Sequence, residues 1–284
     1  MHLALDFILI YDILNSVRGK KERAMKTKID LHIHTRGSDG IGTPKQVADN
    51  AVRAGLHGLC ITDHHKTYTP EGLKVAAACR EAGLIVIHGC EYSTAQGHLL
   101  IYGVNVEDLG LGFYPEMQAV IDEVNRRGGA CVPSHPYKGY QRCLNDRVKR
   151  LRGVRAYEVA NGQCAYQCPE TNKKAVAAAK TKRKLGTGGS DAHSPLDIGL
   201  TYTEFEGEIT CEREFLNALK RGQYKAKTSR KRASKKRSCY LKQVKSRLSP
   251  KCCKKSLALD MQPNSMQICA DDYYRGTDTS LLTH

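Results

Sequence analysis

Tryptophan is absent from this sequence of 284 residues, and aromatic residues make up only 6% of it. No apolar run approaches the 20 or so residues that a membrane-spanning helix needs. The apolar stretch at residues 2–14 is short, is interrupted by Asp6 and Asp12, and has no basic residue before it. It therefore resembles neither a membrane span nor a secretory signal, and we expect no membrane association.

The sequence also lacks any Cys-x-x-Cys pair, although it contains twelve cysteines. They are scattered along the chain, and Cys60, Cys90 and Cys131 lie in or beside apolar runs, where a thiol behaves as a small buried apolar group. Such usage is typical of a reducing compartment rather than of a disulfide framework. We expect a cytoplasmic protein.

Acidic residues are missing from one segment. Residues 220–255 contain sixteen Lys and Arg and no Asp or Glu, whereas the remainder contains 29 basic and 29 acidic residues, so the net charge of +16 belongs to this segment alone. Segments of this kind are usually solvated and disordered. Binding of RNA or DNA through phosphate neutralisation is the functional alternative for residues 220–255.

Apolar strand-like runs alternate with helix signals between residues 28 and 222. Thr43-Pro44 and Thr69-Pro70 have the form of an N-cap followed by a first-turn proline. Strands that are apolar throughout and alternate with helices predict a parallel sheet covered by helices. Seven or eight such units favour a closed or distorted barrel of the TIM type, and a doubly wound open sheet is the alternative.

The chain divides at these limits into three parts. Residues 1–27 form an N-terminal extension, residues 28–222 form the α/β domain, and residues 223–284 form a basic and largely disordered C-terminal extension. Met25 lies just before the first predicted strand, so we hypothesise that translation starts there. The intact mass of the native protein tests this, and a mass that includes Met1 or His2 would reject it.

Histidines and carboxylates recur where the predicted strands begin or end. His32 and His34 lie two apart on the first strand, so both point to the same face. The loop after this strand adds Asp39, and later strands add Asp63, His64, His65, Glu91, His98, His135, Asp191 and His193. Because function lies at the carboxyl ends of the strands in such sheets, we expect these side chains to share one pocket. Mixed imidazole and carboxylate ligands suit zinc, manganese or iron, and clustered ions activate water and stabilise phosphoryl oxygens.

Six short blocks resemble the polymerase and histidinol phosphatase (PHP) family in order and spacing. They are residues 30–35 (Asp-Leu-His-Ile-His-Thr) with 38–40 (Ser-Asp-Gly), 61–64 (Ile-Thr-Asp-His), 89–91 (Gly-Cys-Glu), 97–98 (Gly-His), 134–136 (Ser-His-Pro) and 189–194 (Gly-Ser-Asp-Ala-His-Ser). The resemblance is greatest to the short, stand-alone members, which are metal-dependent phosphoesterases. It implies a distorted (β/α)7 barrel and a site for three metal ions.

The resemblance also implies a role for each ligand. One ion would be bound by His32, His34, Glu91 and Asp191. Glu91 would bridge to a second ion held by His98 and His135, and a third would be held by Asp39, His64 and His193. A metal-activated hydroxide would then attack phosphorus in line. His65 is a departure, since relatives often have Asp or Asn there, and it either contacts substrate or faces solvent.

Other polar residues have less specific predictions. Asp63 precedes His64 on a strand and should face the other way, as a hydrogen-bond acceptor rather than a ligand. Arg36 is a candidate for bidentate contact with a substrate phosphate, or a plain loop residue. For Glu158 and Asn161, a role at the rim of the site and a role in stabilising a loop are equally supported. His57 and His88, outside the blocks, are expected to be surface or satisfied core histidines.

The sequence thus predicts a metal-dependent phosphoesterase that uses two to three divalent ions of manganese, zinc or iron. Its substrate would be a phosphorylated small molecule or nucleotide, or a nucleic-acid phosphodiester. A histidinol-phosphate-type phosphatase is one alternative. A metal-stabilised nucleic-acid-binding module without turnover is the other, and the oligomeric state stays open.

Overall fold

The first predicted strand lies near the middle of a curled sheet in the computed structural model, which describes residues 25–112, 114–139 and 143–247. The strands are β1 Lys26–Ile33, β2 Gly58–Ile61, β3 Ile85–Thr94, β4 Gly97–Tyr102, β5 Ala130–Pro133, β6 Ala156–Asn161, β7 Leu185–Gly189, β8 Thr201–Glu206 and β9 Tyr224–Thr228. The helices are α1 Pro44–Arg53, α2 Pro70–Glu81, α3 Met117–Arg126, α4 Gly162–Gln167, α5 Pro169–Thr181, α6 Glu212–Arg221 and α7 Arg230–Arg247. Short 3-10 helices lie at Val106–Leu109, Asn145–Arg150 and Pro195–Asp197.

Seven strands form one sheet in the order β5-β4-β3-β2-β1-β8-β9, and β6 pairs with β7 in parallel. Parallel pairing is confined to β1 with β2 and β2 with β3 in the large sheet. The remaining neighbours, β3-β4, β4-β5, β1-β8 and β8-β9, are antiparallel. The prediction of a wholly parallel sheet is therefore wrong, because the ten-residue strand β3 folds straight back on β4 through a tight turn.

The small sheet meets the large one at the carboxyl end of β1. The amide of Asp191 donates to the carbonyl of His32, and the amide of His34 donates to the carbonyl of Ala192. These bonds continue the ladder from β7 across to β1, so the strands curl around a common interior. The prediction of a distorted TIM-like barrel is confirmed in this form, a half-barrel with a two-stranded sheet at its opening.

Helix starts follow the cap signals in the sequence. Thr43 and Gln46 form a reciprocal capping box at the start of α1. Thr69 caps α2 by accepting from the amide of Gly72. Val47, Ala48 and Ala51 of α1 are buried at helical spacing, so one face of the helix covers the sheet.

Strand β9 and helix α7 lie beyond the predicted domain boundary at residue 222. Helix α7 runs from Arg230 to Arg247, and β9 pairs with β8 as the last strand of the sheet. The alternation of Lys225 and Lys227 with small residues conceals this strand in the sequence, since an edge strand carries little apolar pattern.

Residues 1–24 and 248–284 lie outside the described residues, and so do the predictions of an extension before Met25 and of the outer part of the basic extension. Within the described ranges no helix has both the length and the apolar character that crossing a bilayer requires. Nine cysteines fall in these ranges and all are free, and Cys60, Cys90 and Cys131 are buried as expected.

Candidate metal centre

The candidate ligands converge on one pocket at the carboxyl ends of β1, β2, β5 and β7. His32 lies on β1, His34 and Asp39 follow it, and the others follow β2, β5 and β7 or belong to the β3–β4 hairpin. Glu91 is inside β3 rather than at its end, and His98 lies across the hairpin on β4, opposite Ser93. The side chains placed around this pocket are His32, His34, Asp39, His64, Glu91, His98, His135, Asp191 and His193.

One group of four side chains is fully buried: His32, His34, Glu91 and Asp191. The Nε2 atoms of His32 and His34 are 3.1 Å apart, and Glu91 Oε2 lies 3.0 Å and 3.1 Å from them. Asp191 Oδ1 lies 3.6 Å and 3.4 Å from the same nitrogens. A tetrahedron of ligands at zinc distances of about 2.0–2.2 Å has edges of about 3.3–3.6 Å. These four donor atoms therefore have the spacing that one divalent ion needs.

The second oxygen of Glu91 faces a different set of donors. Its Oε1 lies 3.0 Å from His98 Nδ1 and 3.0 Å from His135 Nε2, and it accepts a hydrogen bond from Ser134. His64, Glu91 and His98 form a further group whose donor atoms lie close enough to share an ion. Glu91 thus stands between two potential ion positions. His64, which the resemblance gave to the third ion, borders the second position as well.

The third group of donor atoms surrounds Asp39. Its Oδ2 lies 3.0 Å from His193 Nε2 and 3.6 Å from His64 Nε2, and its Oδ1 lies 3.3 Å from His34 Nδ1. The third set implied by the resemblance did not contain His34. The structure includes His34 in it, because one ring nitrogen of His34 faces this group and the other faces the fully buried group.

An orphaned nitrogen supports occupation by a metal. His64 Nδ1 is buried and has no hydrogen-bond partner in the described residues, and it lies 3.7 Å from Glu91 Oε2. A buried polar atom without a partner is costly, so such an atom points to a ligand for it. Nitrogen and oxygen donors are the set that zinc, manganese or iron accepts. The residues present therefore fit divalent ions.

The electrostatics of the site agree with this fit. Burial alone would raise the pKa of Glu91, but the charges of His32 and His98 hold it well below its usual range. The pKa of Asp191 is likewise lowered, since the charges of Lys138 and His32 outweigh its burial. Both carboxylates therefore stay ionised and are available as ligands at neutral pH.

Residues behind the ligands fix their orientation. Glu158 Oε1 lies 3.0 Å from His32 Nδ1, and Glu158 Oε2 accepts from the amide of His135. Asn161 donates its side-chain amide to Glu158 and to Asp191 Oδ2. A carboxylate on the far nitrogen of a ligating imidazole sets its tautomer and strengthens it as a ligand. The geometry thus gives Glu158 and Asn161 a supporting role at the rim.

Lys138 is a functional residue that the sequence did not reveal. Its ammonium is buried, with 7% of the residue exposed, and donates to Asp191 Oδ2 at 2.8 Å and to Gln163 at 3.0 Å. Gln163 in turn lies 2.8 Å from His193 Nδ1. The only signal in the sequence is position, since Lys138 follows His135 by three residues and Gln163 follows Asn161 by two.

Two buried aspartates organise the backbone around the site. Asp63 accepts from the amide and hydroxyl of Thr35, from Ser38 and from Thr69, which agrees with its predicted role as an acceptor. Asp30 accepts from the amides of His32, Ser190 and Gly199. These bonds fix the end of β1 and the loop that follows it against the segments that carry His64 and Asp191.

Close packing and strained backbone conformations occur in the segments around the metal pocket. A Cβ on Gly189 would collide with the backbone nitrogen and Cβ of His32, so β7 approaches β1 only because residue 189 is glycine. Asp191 and His135 have φ of 54° and 26°, in the left-handed region that residues with a Cβ rarely adopt. Such strain is sustained where the surroundings fix the chain and is typical of functional sites.

The other predicted site residues lie around or away from the pocket. Arg36 is exposed and donates through Nε to the carbonyl of Ile41, so its contact with a substrate phosphate stays a prediction. His65 stands edge-on to Tyr92 and Tyr114. His57 is exposed and accepts from a backbone amide, and His88 lies beside Arg80, away from the ligands.

We expect metal binding to strengthen as pH rises. Burial lowers the pKa of His64, but the hydrogen bond to Asp39 and the charge of Glu91 raise it to about 9, so the metal-free imidazole is protonated at neutral pH. An ion must displace that proton, which makes affinity rise by about tenfold per pH unit for each proton displaced below pH 9. Zinc or manganese titrations in buffers of different ionisation enthalpy measure the release. Binding that releases no protons would contradict this expectation.

Comparison with known proteins places these residues in a family. The family model described as the PHP domain matches residues 30–184, and the model described as PHP-associated matches residues 169–224. An uncharacterized protein of Methanocaldococcus jannaschii is 30% identical over 132 residues, which cover 43% of this chain and 74% of that protein.

Two curated relatives have named activities. The 3',5'-nucleoside bisphosphate phosphatase of Chromobacterium violaceum is 38% identical over 93 residues, 32% of this chain and 30% of that protein. The 5'-3' exoribonuclease of Haemophilus influenzae is 31% identical over 100 residues, 34% of each chain. The match therefore spans about a third of either enzyme.

A solved structure shares the fold. It is a two-domain protein from Bacteroides vulgatus that contains a predicted PHP-like metal-dependent phosphoesterase. The TM-score is 0.55 at 22% identity, and the alignment covers 73% of this chain and 66% of that one.

Proposed function

This chain belongs to the PHP domain family of metal-dependent phosphoesterases, and on that premise we propose that it hydrolyses a phosphomonoester or phosphodiester of a nucleotide or nucleic acid. The observation that carries the proposal is the convergence of six imidazoles and three carboxylates on one pocket. Divalent ions bound there supply an acidified water and positive charge for phosphoryl oxygens.

The chain's own residues hold this arrangement rigid. Lys138 and Asn161 both donate to Asp191 Oδ2, which leaves Oδ1 directed at His32 and His34. The buried Lys138 ammonium also offsets the negative charge of the carboxylates. Because these groups are fixed before substrate arrives, little reorganisation is needed during the reaction.

We further propose two to three ions of zinc, manganese or iron. The three overlapping donor groups contain only nitrogen and oxygen atoms. The nearby thiols of Cys60 and Cys90 are buried, which raises their pKa well above its usual range and keeps them protonated. Ions that prefer thiolate are therefore not favoured here.

The nucleotide character of the substrate rests on the named relatives and on the charge of α7. This helix packs Ala233 and Tyr240 against Tyr166 of α4, and Lys236 pairs with Asp197. Its other face exposes Arg230, Lys231, Lys235 and Lys242. A basic helix fixed beside the segments that carry Gln163 and His193 is suited to contact phosphates near the pocket.

A substrate panel tests the proposal. Purified protein loaded with manganese, zinc or iron should hydrolyse at least one of bis(p-nitrophenyl) phosphate, adenosine 3',5'-bisphosphate, histidinol phosphate and a short RNA. Hydrolysis that disappears with His34→Ala supports an enzyme. Tight RNA binding without hydrolysis under any of the metals would instead favour the non-catalytic module.

We expect the exposed face of α7 to contribute to the binding of nucleic acid but not of small phosphoesters. The triple change Lys231→Gln, Lys235→Gln and Lys242→Gln removes three charges without touching the packed face, and should raise KM for RNA about tenfold while leaving bis(p-nitrophenyl) phosphate unaffected. Lys45→Gln, Lys74→Gln and Lys173→Gln are the matched control, because these lysines are also exposed on helices. Equal losses on both substrates would refute the role.

Replacing Lys138 by methionine should weaken metal binding. Asp191 Oδ2 loses its charged donor, and loss of such a supporting bond typically costs about 10–100-fold in affinity or activity. Chelator competition with zinc measures the change. Lys184→Met is the control, since Lys184 also donates from a partly buried site but to the carbonyl of Val154. Unchanged affinity in a folded Lys138→Met protein would contradict the assignment.

A further inference from the structure

A second cleft lies outside the metal pocket. It has a volume of about 450 Å³ and is bounded by the end of α1, the 3-10 helix Pro195–Asp197, β8 and the start of α7. Its lining consists of Asn50, Arg53, Ala54, Leu196, Gly199, Tyr202, Ser229 and Arg232. None of these residues contributes to the three donor groups of the metal pocket.

The cleft is positively charged and has no carboxylate in its lining. Arg53 is exposed at the last turn of α1 and forms no ion pair within the described residues. Arg232 is half-buried and donates Nη2 to the carbonyls of Leu196 and Ile198, and it forms no ion pair within 4 Å in the described part of the chain. Two guanidiniums that are not paired directly with a carboxylate favour binding of an anion.

Acidic groups near the cleft are already engaged. Asp197 pairs with Lys236 of α7. Asp30 lies buried behind Gly199, whose amide donates to it, and also accepts from the amide of Ser190. Burial lowers the pKa of Arg232 and the charge of Asp30 acts against this, but Asp30 forms no ion pair with Arg232.

The remaining lining suits a nucleoside. Leu196 is 72% exposed and offers an apolar surface, and Tyr202, which packs partly buried against the core, also lines the cleft. Ser229 adds a hydroxyl for hydrogen bonds, and Asn50 adds a side-chain carbonyl, since its Nδ2 already donates to Gln46. Ser229 directly precedes α7, so the cleft also lies at the N-terminal end of an 18-residue helix, where anions are favoured.

The cleft and the metal pocket share one short segment of the chain. Leu196 and Gly199 follow the candidate ligand His193 by three and six residues. Three residues span at most about 11 Å, so the backbone of Leu196 lies within that distance of His193.

We propose that this cleft binds the phosphate and base of a nucleotide, either as a free nucleotide or as a unit of a nucleic-acid strand that enters the metal pocket. The second form rests on the proposed hydrolysis of nucleic acid, whereas the first does not. The phosphate pairs with Arg53 and Arg232, and the base lies against Leu196 and Tyr202.

Arg53→Gln tests the cleft with a matched control. Arg53 is exposed, so the change should leave folding intact, and Arg221→Gln removes an equally exposed arginine from the last turn of α6. Calorimetric titration of the metal-loaded full chain with adenosine 5'-monophosphate should show at least tenfold weaker binding for Arg53→Gln and less than twofold for Arg221→Gln. Equal affinity in wild type and Arg53→Gln, for the mononucleotide and for RNA, would overturn the proposal.

A second measurement separates the two sources of the nucleotide. Fluorescence anisotropy reports binding of a labelled eight-nucleotide RNA, independently of any hydrolysis. Weakening by Arg53→Gln of both ligands assigns the cleft to a strand, and weakening of the mononucleotide alone assigns it to a free nucleotide. A chain that hydrolyses nothing but still shows the Arg53 effect would reject the proposed function and keep this site.

Discussion

Replacing Glu91 by glutamine should lower kcat/KM for phosphoester hydrolysis by at least about a thousandfold. Glu91 is the carboxylate that touches most ligands, since Oε2 faces His32 and His34 while Oε1 faces His98 and His135. The amide has the same shape but no charge, so two ion positions weaken together. Loss of several kcal/mol of charge stabilisation corresponds to about three powers of ten in rate.

Two measurements distinguish this effect from misfolding. Metal content by elemental analysis should fall together with activity, while the circular dichroism spectrum should be unchanged. Glu170→Gln is the control, because Glu170 is exposed and pairs only with Lys173 in the described residues. If Glu91→Gln retained both its metals and more than a tenth of wild-type activity, Glu91 would not be a ligand.

Replacing Asp30 by alanine should reduce the free energy of unfolding by about 3–9 kcal/mol. Three backbone amides, those of His32, Ser190 and Gly199, would lose their acceptor in the interior. Each buried donor left unsatisfied costs about 1–3 kcal/mol. The change also releases β1 from the loop that carries Asp191 and His193, so metal binding should fall as well.

Urea denaturation measures this loss of stability. Asp30→Asn keeps one carbonyl acceptor and should lose about half as much as Asp30→Ala. Asp49→Ala, which removes an exposed carboxylate paired with Lys45, should change stability by less than about 1 kcal/mol. An Asp30→Ala protein as stable as Asp49→Ala would show that these three amides find other partners.

The strands and helices of the domain could be predicted because their signals are local. Strands β1 and β2 are apolar runs, and Thr43 and Thr69 are N-cap residues that predict the starts of the next two helices. The positions of His32 and His34 also follow from local geometry, because residues two apart on a strand share a face.

The pairing of the strands could not be predicted in the same way. An apolar run does not determine which neighbour it joins or in which direction, so it does not predict the antiparallel β3–β4 hairpin. Strand β9 has no clear apolar pattern, because it lies at an edge, where charged residues such as Lys225 are tolerated.

The contacts that the supporting residues make could not be predicted from the sequence either. Lys138 contacts Asp191 across 53 residues of chain, and Glu158 contacts His32 across 126. Neither a lysine nor a glutamate has a spacing that marks it as a partner of a ligand, since the contact is made only when β6 and β7 come to lie beside β1.

The sequence by itself determined the kind of chemistry, because the identities of the imidazoles and carboxylates decide which ions they can bind. It also determined which residues lie on the ends and faces of single strands, since that depends on neighbours in the chain. Only the tertiary structure decided that Glu91 faces two groups at once, that a buried ammonium stands behind Asp191, and that two arginines share a separate cleft. These are contacts between distant segments, and the packing of the sheet, rather than any local preference, fixes them.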